Sequence, residues 1–501
     1  MDGFAGIAHG FAVALEPARL AYCFLGVVVG TVVGVLPGLG PAATIALLLP
    51  ATYRLDPVSA VIMLAGIYYG SQYGGSTTAI LVRIPGESSS MVTCYDGYEM
   101  TRRGRAGPAL GMAAIASFVA GTAGVVGLML VAPVLGRMAL AFGPAEYASL
   151  MLLGLTLVAY LGGDSLLKAL LMALTGLLLA TVGQDPVAGV ERFTFGTQNL
   201  LDGFDLVPVF MGLFGVAEVL ETMERPPARQ RLATPTGLWP TRADFRDSAG
   251  PVARGTVLGF VLGVLPGGGA TIASIASYVT ERRLARNRHR MGQGAIEGVA
   301  GPEAANNAAA TGSFIPLLTL GIPANVVMAM MLAALTIHGI RPGPLLISEQ
   351  PDLFWGTITS MYLGNVMLLV LNLPLVGLFV QILRVPYPIL TPLILLLCLI
   401  GSYSVTGQTA DALTMVGFGI AGYLLRKLGF EAAPLVLALI LGRPMEEAVR
   451  QALALSQGSF AVFLTRPISL ALLLATAASL AAPLLGRARS PSSPSRPPPM
   501  I

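Results

Sequence analysis

The chain has 501 residues, of which 54% are hydrophobic and only 11% charged, with a formal net charge of +4. A soluble globular protein carries about 25% charged residues, so the roughly two or three soluble domains that this length would suggest are excluded. The apolar runs are long enough to cross hydrocarbon as helices, which takes about 20 residues, and too continuous for the short alternating strands of a transmembrane β-barrel.

The composition predicts an all-α polytopic membrane protein with roughly eleven to thirteen hydrophobic segments, several of them interrupted by Gly and Pro. Residues 1–18 have no positive charge before their apolar stretch and no cleavage site, which predicts a retained segment lying at the interface. Gly34-Val35-Leu36-Pro37-Gly38-Leu39-Gly40-Pro41 follows. Proline removes an N–H and clashes with the preceding turn, while glycine frees the backbone, so together they break a helix. Such a break survives at membrane depth only where it lines protein or a water-filled cavity. It exposes N–H groups at the start of the next half-helix, where anions bind without arginine; Thr44 stands just inside that half-helix.

The loop at 51–57 carries only Arg54 and Asp56. The run from Tyr68 to Thr78, with Ser76 and Thr77 in it, is too polar for a lipid-facing helix and suits close helix contact. A second break comes at Ile84-Pro85-Gly86-Glu87-Ser88. Arg83, before it, either snorkels to the interface or turns inward to pair with an anion or Glu87. Arg102, Arg103 and Arg105 mark a cytoplasmic loop, and Asp164 with Lys168, one helical turn apart, reads as a local pair at a membrane edge.

A polar linker at 225–254 separates a first half at 19–224 from a second at 255–486. Gly263-Val264-Leu265-Pro266-Gly267 repeats the first glycine motif, Thr271-Ile272-Ala273 repeats Thr44-Ile45-Ala46, and Ile322-Pro323-Ala324 answers Ile84-Pro85-Gly86. Two helix-breaking motifs recurring in the same order, roughly 230 residues apart, define an internal repeat. Arginine-rich stretches on both sides put the ends of the segment 256–280 on one face. Each arm of about a dozen residues reaches roughly 18 Å, short of a hydrocarbon core of about 30 Å. A re-entrant hairpin with Gly267-Gly268-Gly269 at its tip fits both facts. The weaker charge around the first motif predicts that its hairpin opens to the other side, an inverted-topology repeat, although two broken spanning helices would give the same string.

Glu297-Gly298-Val299-Ala300-Gly301-Pro302-Glu303 opens a further helix, with Glu303 suited to a first turn through the helix dipole. Asn306 and Asn307 within it need partners, read as substrate or cation contacts. That helix continues past Thr311 to the break at Gly321-Ile322-Pro323-Ala324-Asn325. The candidate substrate contacts are therefore Gly38, Gly40, Thr44, Ser76, Thr77, Gly86, Ser88, Gly268, Gly269, Thr271, Asn306, Asn307 and Asn325. The candidate cation ligands are Gly38, Gly267, Asn306 and Thr311. The tail at 487–501 is Ser/Pro-rich and reads as disordered.

Cys23, Cys94 and Cys398 lack metal-ligand spacing and read as free thiols. The chain carries no HExxH, GxSxG or GxxxxGK[ST] pattern, so no enzymatic centre or nucleotide site is expected. Basic clusters between membrane spans do not point to nucleic acid. Uphill transport would draw on an ion gradient, with no cofactor beyond sodium or a proton. A self-sufficient organic-anion carrier or exporter, and a membrane-embedded enzyme or scaffold, remain alternatives on these residues alone.

The sequence resembles the TctA-like large membrane subunit of the tripartite tricarboxylate transporters. The most specific stretches are 34–41, 68–87, Asp96-Gly97-Tyr98 with Arg103-Gly104-Arg105-Ala106-Gly107, and 297–307 through Gly321-Ile322-Pro323. Departures are Ala324, where a second Ile-Pro-Gly is expected, and Arg83, where a neutral residue is common. The resemblance implies a bacterial inner-membrane protein working with a small TctB-like membrane subunit of about four helices and a TctC-like periplasmic solute-binding protein that delivers a carboxylate. It also implies uptake driven by sodium or protons, with alternating access, an elevator movement being one form.

Overall fold

The computed structural model describes residues 3–36, 40–161, 165–185, 188–224, 237–382 and 387–487. Gly38, Asp164, the first part of the linker (225–236) and the tail from 488 lie outside these. Among the described residues the chain is helical apart from one antiparallel pair of two-residue strands, β1 (Gly183–Gln184) and β2 (Glu191–Arg192).

The first half comprises α1 (Gly3–Ala14), α2 (Pro17–Val35), α3 (Pro41–Thr52), α4 (Pro57–Val82), α5 (Thr93–Arg102), α6 (Ala106–Ala139), α7 (Pro144–Leu161) and α8 (Leu166–Ala180), then α9 (Leu206–Phe210), a π-helical segment Met211–Val216 and α10 (Ala217–Glu224). The second comprises α11 (Arg242–Val264), α12 (Gly269–Leu284), α13 (Glu297–Gly312), α14 (Phe314–Leu320), α15 (Val326–Ile337), α16 (Leu346–Glu349) and α17 (Pro351–Asn372). It ends with α18 (Val376–Ile382), α19 (Tyr387–Thr406), α20 (Thr409–Lys427), α21 (Ala432–Leu455), α22 (Val462–Thr465) and α23 (Pro467–Arg487). Among the described residues, four helical stretches are long and apolar enough to cross a membrane, and seven shorter apolar helices accompany them. Apolar side chains stand outward at helical spacing: Leu167, Leu171, Leu174 and Leu178 are exposed on α8, while its opposite face packs on α21. Such a surface suits lipid rather than water, and the chain is an all-α polytopic membrane protein.

The helices begin where local chemistry dictates. Pro17, Pro41 and Pro57 each open a helix, where a missing N–H costs nothing. Asp56 caps α4 by accepting from Ser59 N at 3.1 Å, and Thr241 with Asp244 forms a capping box on α11. The helix α11 thus starts inside the stretch read as linker. Burial opposes the charge on Asp244, but a two-pronged hydrogen bond from Arg105 and further bonds from Thr241 hold its carboxyl below the usual range.

The internal repeat is built from glycine. In α2, a Cβ at Gly26, Gly30 or Gly34 would lie 2.3, 2.5 or 2.3 Å from the carbonyl oxygens of Met63, Ile67 and Ser71 in α4. In α11, a Cβ at Gly255, Gly259 or Gly263 would lie 2.3, 2.2 or 2.3 Å from those of Gly301, Ala305 and Ala309 in α13. Both triplets recur every fourth residue, one face of a helix. Each half therefore presses a hairpin's first arm, main chain on main chain, against the following buried helix. An arginine–carboxylate clasp sits at the base of each hairpin: Arg19 to Asp56 at 3.9 Å, and Arg254 to the fully buried Glu281 at 2.6 Å. From its clasp to its tip the second hairpin has arms of the expected length, although α11 runs on beyond it to Arg242.

The break after α4 and the break after α14 also correspond. Arg83 ends α4 in the left-handed conformation (φ 57°), and Gly321 ends α14 likewise (φ 70°). Arg83 is exposed, stands 6.0 Å from the Tyr98 ring centroid and makes no ion pair with Glu87, so of the two readings the inward pairing is not the one adopted. A left-handed non-glycine residue costs about 1–2 kcal/mol. Arg83→Gly is expected to stabilise the protein by up to about 1 kcal/mol after glycine's own entropic cost, read as a small rise in melting temperature in detergent.

Candidate functional site

The two halves meet at their breaks. At the first, a Cβ on Gly40 would stand 3.5 Å from Glu87 Oε2, so the start of α3 faces the carboxylate of the next break. At the second, Gly267 N donates to Ala324 O at 2.8 Å, and Asn325 lies beside Gly269. Asn325 caps α15, accepting from Met328 N at 3.0 Å, and its amide nitrogen donates to Tyr68 Oη of α4 at 3.2 Å. The halves are joined directly by Ser88 and Thr271, whose hydroxyls are 2.8 Å apart, and by Ser274 Oγ donating to Ser89 O at 2.5 Å. Gly40, Gly86, Ser88, Gly268, Gly269, Thr271 and Asn325 thus fall in one region. Gly86 must be glycine, since its Cβ would lie 1.9 Å from Gly34 O. Thr44 turns back onto its own helix, donating to Gly40 O at 3.1 Å.

The other candidates gather around a second centre. Glu303 is fully buried and accepts from Ser76 Oγ, from Thr93 Oγ1 at 2.5 Å and from Asn306 Nδ2 at 3.1 Å. Asn307 Nδ2 bonds Ser117 Oγ at 2.8 Å and Asn306 Oδ1 at 2.6 Å. Thr311 donates to Asn307 O at 3.1 Å. The helix begins at Glu297, so Glu303 lies beyond its first turn, and a role through the helix dipole does not apply. Three neutral donors and no cation within ion-pair distance, among the described residues, leave a carboxylate in the protein interior. Sequence reasoning does not mark Thr93, Ser117 or Asn372; an amide at the end of the apolar helix α17 is the signal that could have found Asn372.

Asp96 is the rivet between the halves. Its carboxylate is fully buried and accepts from Tyr278 Oη at 2.8 Å, Gly292 N at 2.9 Å, Gly294 N at 2.8 Å and Ala295 N at 2.8 Å. Gly298 leaves room for it, since a Cβ there would lie 2.1 Å from Asp96 Oδ2. The Asp96-Gly97 and Glu297-Gly298 motifs therefore belong to one contact. Lys168 donates to Leu428 O at 2.6 Å, and the expected pairing with Asp164 falls outside the described residues. The three cysteines are buried and free.

A cavity of about 870 Å³ reaches the second break, lined by Leu320 and Gly321 together with Met151, Arg341, Arg443 and Glu447. Its volume suits a small organic ligand.

No solved structure matches this chain. An uncharacterised 52.8 kDa protein in the TAR-I ttuC′ 3′ region of Agrobacterium vitis is 51% identical over 491 residues, covering 98% of each chain. An uncharacterised protein in the TAR-II ttuC′ 3′ region of the same organism is 53% identical over 215 residues, 43% of this chain and 89% of that one. The tripartite tricarboxylate transporter TctA family model matches residues 20–437. With the paired glycine motifs, both breaks and the Asp96 contact inside the matched region, the chain belongs to the tripartite tricarboxylate transporter TctA family, and it is a transport protein.

Proposed function

We propose that this chain is the large subunit of an uptake system that imports small carboxylates across the bacterial inner membrane by alternating access. A TctC-like periplasmic binding protein would deliver the substrate, a TctB-like subunit would complete the membrane part, and a sodium or proton gradient would drive the step. The observation that carries this reading is the meeting of a helix break from each half through Ser88 and Thr271. Main-chain N–H groups at the starts of α3 and α12, with the hydroxyls of Ser88 and Thr271 and the amide of Asn325, form a neutral anion cradle. The cavity beside Leu320 and Gly321 has a volume suited to a small organic ligand. We assign the repeats opposite orientations in the membrane, and movement of the paired-motif core against the remaining helices as an elevator.

Glu87 beside Gly40 supports the need for a driving cation. A charged Glu87 would repel a substrate anion 4 Å away by about 4 kcal/mol at an effective dielectric of about 20, so the anion enters more readily when a cation or proton is taken up with it. The Agrobacterium vitis relatives are named for positions 3′ of ttuC′, which fits a chain working beside another gene's product. Uptake of radiolabelled carboxylates into proteoliposomes, with and without partner subunits and an imposed sodium or proton gradient, tests the reading. Gly269→Leu, in the cradle, and Asn307→Ala, beside Glu303, are each expected, when correctly inserted, to lose at least about tenfold in uptake; wild-type uptake by Gly269→Leu would remove the cradle.

A further inference from the structure

Beside Glu303 lies a small interior cavity of about 10 Å³ that the carboxylate cradle does not use. Its walls are helix faces: Tyr73, Ser76 and Thr77 on α4, a face of α6 that includes Ser117, and Asn372 at the end of α17. Two of these groups lack partners. Tyr73 Oη and Asn372 Oδ1 are buried without a hydrogen bond, on residues only 3% and 5% exposed. Buried polar atoms are normally paired, so two orphaned oxygens on one cavity call for an occupant. The room is at the lower limit for a single water, which favours something no larger.

The wall chemistry points to a cation. Every polar group facing the space presents oxygen, the ligand type of hard metal ions. Glu303 stands directly behind it, joined to Ser76 by a hydrogen bond and to Ser117 through Asn306 and Asn307. Asn306 Nδ2, Ser76 Oγ and Thr93 Oγ1 all donate to Glu303, and a cation in the adjoining cavity would offset the cost of burying a carboxylate there. An ionised carboxylate in this interior needs a compensating positive charge, and among the described residues no Lys, Arg or His pairs with it.

We propose that a sodium ion binds in this cavity, held by the oxygens of Tyr73, Ser76, Thr77, Ser117 and Asn372, with Glu303 supplying the balancing charge. The inference rests on the reading of the chain as an ion-driven carrier and names where the ion sits, away from the breaks. Ser76 and Thr77 then serve the cation rather than the substrate.

The test uses the full chain purified in detergent without carboxylate. Its melting temperature is followed while NaCl replaces choline chloride at constant ionic strength, with KCl in a parallel series. Wild type is expected to show a sodium-specific rise, because a ligand that binds only the folded state stabilises it. Tyr73→Phe, Ser117→Ala and Asn372→Leu are expected to keep the choline baseline within a few degrees and to need about tenfold more sodium for half the rise. Glu87→Gln is expected to titrate like wild type. No rise in wild type, an equal rise with potassium, cavity variants titrating like wild type, or loss of the rise in Glu87→Gln alone would each overturn the proposal. Carboxylate uptake by the same protein reconstituted into proteoliposomes with its partner subunits separates the two readings. Uptake without a sodium-specific rise removes this site and leaves the carrier, whereas a rise that the cavity variants weaken, without uptake, leaves the site and removes the carrier.

Discussion

Leucine in place of Gly34 or Gly263 is expected to abolish monodisperse, detergent-extractable protein, and to do so equally from either half. A Cβ at Gly34 would stand 2.3 Å from Ser71 O and 2.8 Å from Gly75 N; one at Gly263 would stand 2.3 Å from Ala309 O. Those neighbours are main-chain atoms of buried helices, so they cannot swing aside as a side chain would. Overpacking by a methylene or two already costs about 1–3 kcal/mol, and four added carbons would force α2 from α4, or α11 from α13. Gly417 on α20 is the control, because a Cβ there meets nothing within 4 Å. Gly417→Leu should match wild type by size-exclusion chromatography of a fluorescent fusion. Normal elution and melting of the Gly34→Leu and Gly263→Leu proteins would contradict the packing described.

Asp96→Ala is expected to be the most damaging single loss of a polar group. It strands the Tyr278 phenol and the buried main-chain N–H groups of Gly294 and Ala295, and it releases the exposed N–H of Gly292. Each orphaned donor costs about 1–3 kcal/mol, so the expected loss exceeds about 4 kcal/mol, a large part of a typical stability of about 5–15 kcal/mol. Tyr278→Phe removes one donor together with its need and should cost about 1 kcal/mol. Asn at 96 keeps the shape but turns an amide N–H₂ toward donors, so it should fall between Tyr278→Phe and Asp96→Ala. Thermal unfolding in detergent orders the three, and an alanine variant melting within a degree of wild type would remove Asp96 from its structural role.

Much of the helical architecture was legible because its causes are local. Proline next to glycine breaks a helix wherever it falls, so Leu36-Pro37-Gly38 and Leu265-Pro266-Gly267 announced the ends of α2 and α11, and Ile84-Pro85 and Ile322-Pro323 both later breaks. The candidate site was legible only in part, because its contacts cross the chain. Ser88 finds Thr271, Asn307 finds Ser117 and Asp96 finds Gly294, all at separations that no periodicity encodes. Glu303 was misplaced for a simpler reason: a carboxylate near a helix start usually answers the dipole, and here the helix had already begun a turn earlier. Asn372 lay at the end of an apolar run, where one amide changes the average hydropathy little. Arg83 in a left-handed turn could not be read at all from residue type, since glycine is what that conformation ordinarily selects.

The four-residue spacing of the two glycine triplets sets a limit on how these helices can drift in length. One residue inserted between Gly26 and Gly34 would swing everything beyond it by about 100° around the helix axis, carrying the last glycine off the seam and a bulky neighbour onto it. Loops can lengthen and shorten freely, but within α2 and α11 the phase of the screw is locked, and only substitutions, not insertions or deletions, are open to them.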